Sequence, residues 1–351
     1  MRAITLVSPG VVVATEAPEP TLGPEDVLVE MHFVGLCGSD LAAYRGLSPM
    51  VSYPRIPGHE VGGVIVDRGQ RVPDRLRVGD HVMLSPYSHC GLCPACRIGR
   101  TNCCEFNQTL GVQRDGALTE RIAIHYTKAF ASGKLSLAEL ALVEPISVGY
   151  HATNRARVSE VDTVLVLGAG TIGLGAIVAA SRKGARVVAV DIDDAKLEQA
   201  RRFGAALVVN SAREDPLTVT RELTAGEGVS VAIEAIGLPQ TYRLAVSAVC
   251  YAGRVAYIGY AKHEVAFDTA EFVRKELDIV GSRNALHEFP AVIGMFERGE
   301  RPFSEMVSAV YPFAEAGAAF AAGRTHCAQP RGAPGRGGLS RRKPRDNAAT
   351  D

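Results

Sequence analysis

Residues 163–191 leave this chain the least freedom in what it can become. The apolar run Val164-Leu165-Val166-Leu167 leads into Gly168-Ala169-Gly170-Thr171-Ile172-Gly173, and a helical stretch follows. A second apolar run, from Arg186 to Val190, ends at Asp191, 18 residues beyond Gly173. The glycine pattern by itself is weak, because glycine is common and the pattern short. Placed between two strand-like runs and opening a helix, it specifies a βαβ unit that binds a dinucleotide. Gly168 allows the tight turn, Gly170 lets backbone approach a pyrophosphate, and Gly173 permits close packing of helix on strand. Thr171 and Ile172, between these glycines, belong to the same phosphate-facing helix N-terminus. A carboxylate at Asp191 accepts from ribose hydroxyls and repels a 2′-phosphate, and Ile192 offers no base in compensation. The cofactor is therefore expected to be NAD rather than NADP.

The pattern around this unit predicts a doubly wound Rossmann sheet. Strands are expected at 163–167, 186–190, 207–209, 230–235, 254–258 and 278–281, with helices at 171–183, 194–203, 239–249 and 287–298. Asp193 or Asp194 would cap the second helix and Gly204 would end it. Ile258, at the end of the fifth strand, is assigned to the cofactor site. Residues 1–148 read mostly as β-structure, with alternating runs such as Val27 to Val34 divided by Gly/Pro turns. A length of 351 residues suits two domains, and 47% apolar with 22% charged residues is an ordinary globular composition.

Five of the eight cysteines fall in residues 90–104: Cys90, Cys93, Cys96, Cys103 and Cys104. The N-terminus has no apolar signal region before Pro9, so a reducing, cytoplasmic setting is expected and disulfides are disfavoured. Thiolates two residues apart fold back on one ion, and a fourth closes a tetrahedron, which makes a structural zinc site. The ferredoxin run for an iron–sulfur cluster puts its fourth cysteine three residues on, before a proline, and does not fit. Spacing alone does not choose between Cys103 and Cys104.

A second set is spread more widely. Cys37 in Gly35-Leu-Cys37-Gly-Ser39-Asp40, His59 in Gly58-His59-Glu60, and Glu144 in Leu142-Val-Glu144-Pro145 offer thiolate, imidazole and carboxylate. Three such ligands with one open position describe a catalytic zinc. At this point the chain resembles the zinc-dependent medium-chain alcohol dehydrogenases. Gly58, His59, Glu60, Gly63, Gly69 and Val72 match that family's zinc signature. So do the cysteine lobe, Gly79-Asp80-His-Val82 and the Glu144-Pro145 element. The Cys-Gly-Ser-Asp motif and Glu144 are most similar to the sorbitol and threonine dehydrogenase branch, over roughly residues 1–320.

The resemblance implies a GroES-like β-rich catalytic domain from 1–149 and 288–323, and a Rossmann NAD-binding domain from 150–287. It implies two zinc ions per chain, with Cys104 as the fourth ligand of the structural one beside Cys90, Cys93 and Cys96. Cys37 and His59 bind the catalytic zinc, while Glu60 and Glu144 compete for the third place. It further implies hydride transfer from a zinc-bound secondary alcohol to NAD, with Ser39 passing the proton outward. The family's next relay position, five residues after the ligand cysteine, is Ala42 here, so the relay ends early. Two carboxylates near the metal favour a polyol, sugar acid, amino alcohol or aminocyclitol over a plain alkyl alcohol. Arg283 and Asn284 either face the nicotinamide cleft or serve a loop by bonding backbone. A homodimer or homotetramer is implied, through the edge of the Rossmann sheet.

Lys+Arg and Asp+Glu both number 38, so no net field points to nucleic acid or a membrane, and no apolar run is long enough to span one. Residues 324–351 differ in kind, carrying a net charge of +5 against −5 for the rest, without apolar alternation. The family's final strand is expected after Gly323 and does not show in the pattern. This segment is read as a disordered, aberrant tail. With Ala42, it motivates the alternative of a chain that binds NAD without turnover. A zinc-free quinone or enoyl reductase on the same fold is less consistent, since it lacks use for Cys37, His59 and Glu60.

Overall fold

The computed structural model describes residues 1–323 and the backbone of Cys327–Gln329. In the β-rich unit a hairpin of β1 (Arg2–Ser8) and β2 (Val11–Glu16) lies beside a larger sheet. That sheet is built on β3 (Asp26–Gly35), followed by the short α1 (Gly38–Tyr44), then β4 (Glu60–Arg68) and β5 (His81–Leu84). The cysteine lobe with α2 (Pro94–Arg97) projects next, before β6 (Arg121–His125) and β7 (Ala129–Ala131). β3 runs antiparallel to β4 with Gly35 opposite Glu60. That register sets Cys37, just past the end of one strand, beside His59, just before the start of the other. Only glycine fits at position 35, because a Cβ there would collide with the Glu60 carboxylate.

A 19-residue helix, α3 (Leu137–Arg155), leads from this unit into the next. Ser136 caps it: its hydroxyl accepts from the Glu139 N–H while the Glu139 carboxylate accepts from the Ser136 N–H. The second unit follows as β8 (Thr163–Leu167), α4 (Thr171–Arg182), β9 (Arg186–Asp191), α5 (Asp194–Arg202) and β10 (Leu207–Asn210). After α6 (Pro216–Leu223) come β11 (Val229–Glu234), α7 (Pro239–Ala248), β12 (Val249–Tyr257), α8 (Ala270–Lys275) and β13 (Asp278–Gly281). The strands are parallel in the order β10-β9-β8-β11-β12-β13, which is the doubly wound arrangement, with its switch point between β8 and β11. Asp193, not Asp194, caps α5, accepting from the N–H groups of Ala195 and Lys196, and Gly204 follows it at φ +111°.

The two units share one core. Leu140, Val143 and Ile146 of α3 pack with Val164, Val166 and Ile177 of the parallel layer. Gly149 and Gly175 let α3 and α4 touch backbone to backbone, since a Cβ on Gly149 would strike the Ile172 carbonyl. α9 (Phe289–Glu297) sits on the seam: Val292 and Phe296 join that core, and Phe289 packs on Tyr87 and Phe130 of the first unit. The chain rejoins the β-rich sheet at β14 (Val310–Pro312), and α10 (Ala316–Ala322) buries Ala319 and Phe320 against it.

The expectation that no strand follows Gly323 is corrected. The backbone of β15 (Cys327–Gln329) lies between β14 and β3, with Cys327 opposite Gly35. Strand pairing is made by main-chain groups, so a segment without apolar alternation can still fill a vacant edge. Residues 324–326 and 330–351, where the rest of the tail assignment falls, lie outside the described residues. Among the described residues no helix is long and apolar enough to cross a membrane.

Candidate metal and cofactor sites

The first cluster is the cysteine lobe. Sulfurs of Cys90, Cys93, Cys96 and Cys104 all lie within 4.8 Å of one another. The sulfurs are 4.0 Å apart in Cys90 and Cys96, 3.9 Å in Cys93 and Cys104, and 3.7 Å in Cys90 and Cys104. A tetrahedron with Zn–S bonds of ~2.3 Å has edges of ~3.8 Å, so the four sulfurs stand where one zinc would hold them. Cys103 is outside this set, with its sulfur 3.8 Å from an Arg100 nitrogen. Backbone N–H groups of Leu92 and Cys93 point at the Cys90 sulfur, and the Cys90 N–H points at that of Cys104. Such N–H bonds lower the Cys90 thiol and bring Cys93 down to about 6, whereas burial and neighbouring thiols push Cys96 up to about 12. A cation at the centre would offset the mutual repulsion of four thiolates in this space and favour loss of the last thiol proton.

The second cluster joins Cys37, His59 and Glu60, whose ligand atoms lie within 4.8 Å of one another. His59, Glu60, Glu144 and Asp40 are all buried. Asp40 accepts from the N–H groups of Cys37, at 2.9 Å, and Gly58, at 3.2 Å, so it fixes both ligand-bearing turns. Its carboxylate also stands 3.7 Å from His59 Nδ1, an atom that is buried without a hydrogen-bond partner. Burial lifts Glu60 to about 8, with His59 opposing and Glu144 and Asp40 adding to the rise. Burial also raises Glu144. Burial works against protonated His59, yet the surrounding Asp40, Cys37 and Glu144 raise it well above its usual value. Three carboxyl groups and a thiol share this space with one imidazole. The shortage is of positive charge, and a divalent cation would supply it.

Glu144 stands beside this trio rather than within it. Its Oε1 accepts a short hydrogen bond from the buried Tyr87 phenol. Tyr87 and Asp40 are the groups at this site to which no role was assigned from sequence. Asp40 was signalled by its place in the Cys-Gly-Ser-Asp motif. Tyr87 had no local signal, because it meets Glu144 only across the fold. Ser39 lies in the first turn of α1, partly buried, with Ala42 further along the same helix.

Across the cleft, Gly168 has φ +98°, and a Cβ on Gly173 would collide with the Gly168 carbonyl. At Gly170 a Cβ would meet nothing within 4 Å, leaving the turn open on its outer side. Asp191 accepts from Ala169 N–H at 2.9 Å through one oxygen, and from Ile192 N–H at 2.8 Å and Asp193 N–H at 3.1 Å through the other. These bonds hold the carboxylate beside the glycine turn. A cavity of about 620 Å³ is lined by Gly170 and Thr171 on one wall and by Gly38 and Leu41 of α1 on the other. Ile172 is partly buried on α4 and Ile258 packs against the shared core. The Arg283 carbonyl accepts from Asn102 Nδ2 and the Asn284 side chain donates to the Asn102 carbonyl, so both bond backbone or carry backbone bonds in the loop.

With that geometry in place, comparison with known proteins defines the class. Residues 23–133 match the alcohol dehydrogenase GroES-like domain and residues 171–298 match the zinc-binding dehydrogenase domain. The chain belongs to the zinc-type medium-chain alcohol dehydrogenases, and it is an oxidoreductase of their polyol branch. It is 37% identical to the L-galactonate-5-dehydrogenase of Escherichia coli K12, over 84% of this chain and 87% of that one. Identity to the sorbitol dehydrogenase of Bacillus subtilis is 34%, over 80% and 82% of the two chains. The structure of an Escherichia coli CFT073 alcohol dehydrogenase complexed with NADH superposes with a TM-score of 0.86 at 28% identity, covering 94% of this chain and 99% of that one.

Proposed function

We infer that this chain oxidises a secondary hydroxyl of a polyol or sugar acid, using zinc and NAD. The observation that carries the reading is that Cys37, His59 and Glu60 come within reach of one ion, and that Gly38, the residue after Cys37, lines the same cavity as the Gly170–Thr171 turn. Bound at the trio, zinc supplies Lewis acidity that favours loss of a hydroxyl proton, and NAD supplies the hydride acceptor.

The chain's own residues do the rest. Cys37, His59 and Glu60 would hold the ion, while Asp40 fixes both ligand turns and sets its charge near the imidazole. Glu144, tied to Tyr87, is the second carboxylate of the pocket and the one placed to exchange with Glu60. Ser39, in the first turn of α1, takes the substrate proton toward solvent, since Ala42 offers no further relay group. Gly168, Gly170, Thr171 and Ile172 receive the pyrophosphate at the start of α4, with Gly173 packing that helix close. Asp191 faces the ribose, which favours NAD. Cys90, Cys93, Cys96 and Cys104 hold the structural zinc. The side of β13 that is unpaired among the described residues, where Ile279 is exposed, supports a homodimer through that sheet edge.

Relatives named for L-galactonate, L-idonate and sorbitol support a hydroxyl-rich substrate. The test is NADH formation over a panel of aldonates, alditols, amino alcohols and short alkyl alcohols, with NAD and NADP in parallel. The fastest turnover is expected on an aldonate or alditol with NAD. Faster turnover of simple alkyl alcohols than of every hydroxyl-rich compound would overturn the substrate class, and equal use of NADP would overturn the role of Asp191.

A further inference from the structure

The cysteine lobe is more than a local staple, because one of its residues reaches across the fold. Asn102 is buried at 2% exposure in the single turn Thr101–Cys103, between Cys96 and Cys104. Its Nδ2 donates to the Arg283 carbonyl at 2.8 Å, and the Asn284 Nδ2 donates to the Asn102 carbonyl at 3.3 Å. Two bonds of opposite sense thus fasten neighbouring residues to one point of the lobe.

The same amide nitrogen lies 3.2 Å from His151 Nε2, and His151 Nδ1 lies 2.8 Å from Glu288 Oε1. Because Nδ2 can only donate, Nε2 accepts and the imidazole proton sits on Nδ1, facing the carboxylate. The other Glu288 oxygen accepts from the N–H groups of Leu286, at 2.7 Å, and His287, at 3.0 Å. Residues 283–288 are therefore held at both ends by a single buried chain of bonds that starts in the lobe. Asn284 has φ +56°, in the left-handed region, and the bond to Asn102 stabilises that conformation.

This segment leaves the carboxyl end of β13, the edge of a parallel sheet at which ligands bind. We propose that Asn102 is a positioning residue for the cofactor, clamping residues 283–288 to the four-cysteine lobe so that order in the lobe sets the affinity for the dinucleotide. The inference rests on the cofactor reading above. It also implies reciprocity: a cofactor that orders 283–288 raises the equilibrium affinity of the lobe for its metal by the same factor.

Two variants test it. Asn102→Ala removes both side-chain donations, and Asn284→Gly removes the return bond while keeping a residue at home at positive φ. Each is expected to retain the wild-type zinc content by elemental analysis, to exchange backbone hydrogens faster across 281–288, and to raise the Kd for NADH about tenfold. A role confined to folding would lower the melting temperature and leave that Kd unmoved, and this result in Asn284→Gly overturns the proposal even if Asn102→Ala does not fold. A wild-type protein that binds neither NADH nor NADPH overturns the cofactor reading instead. In that case unchanged exchange across 281–288 in Asn284→Gly would overturn the clamp on its own.

Discussion

Tyr87 shows how much one side chain decides at the metal site. Its phenol donates to a buried carboxylate whose charged neighbours are His59, which favours it, and Asp40, which opposes it. Removing the hydroxyl in Tyr87→Phe leaves Glu144 without that donor, at a cost of about 1–3 kcal/mol. Because Tyr87 is not among the trio that holds the ion, Tyr87→Phe is expected to keep its zinc while melting earlier and turning over more slowly. Loss of zinc in that variant would show that Glu144 itself is a ligand. At this scale the sequence was informative wherever a residue sat in a motif: Cys37, His59 and Glu60 cluster, and so do Cys90, Cys93, Cys96 and Cys104, the last picked out over Cys103 by the family resemblance. It was silent on Tyr87 and on the triplet of Asn102, His151 and Glu288. Those contacts join residues 49 to 181 positions apart, and no local pattern records them.

The elements tell a similar story. The six parallel strands were legible because buried strands are short apolar runs between turn residues, and each expected run meets a strand. β12 begins at Val249, earlier than expected, since Cys250 and Tyr251 are partly exposed and blur the apolar run. α6 was missed although Asp215 and Pro216 mark its start, the carboxylate accepting from Leu217 and Thr218 N–H groups. α3 was obscured by Pro145 inside it, a residue that ordinarily argues against a helix interior. Its start was nevertheless written in the Ser136–Glu139 box. Ser136→Ala should cost about 1 kcal/mol. Since α3 carries Glu144 and forms part of both units, the loss should appear as a lower apparent melting temperature of the whole chain. A melting temperature equal to wild type would mean that packing alone fixes the helix start.

Across the whole molecule, the seam between the units carries its own pH dependence. Burial would raise Glu288, but hydrogen bonds from His151, Asn154 and the Leu286 N–H outweigh it and hold the carboxyl at about 2. A carboxyl depressed in the folded state stabilises it fully above its unfolded pKa of ~4.5, and that contribution fades as pH falls toward 2. It amounts to about 3 kcal/mol over the full window. Wild type and Glu288→Gln should therefore differ most in melting temperature above pH 5 and converge below pH 3. A difference that stays constant through this range would remove Glu288 as the acid-sensitive tie.

The two ligand clusters, one joining Cys37 to His59 across 22 residues and the other within a single cysteine lobe, are the feature on which the whole reading depends. Zinc per chain, measured by elemental analysis in wild type and in Cys37→Ala, tests it most directly. Two zinc ions in wild type and one in the variant are predicted. A single ion in wild type, or an unchanged count in Cys37→Ala, would contradict the catalytic site at Cys37, His59 and Glu60 and favour a chain that binds the dinucleotide without turnover.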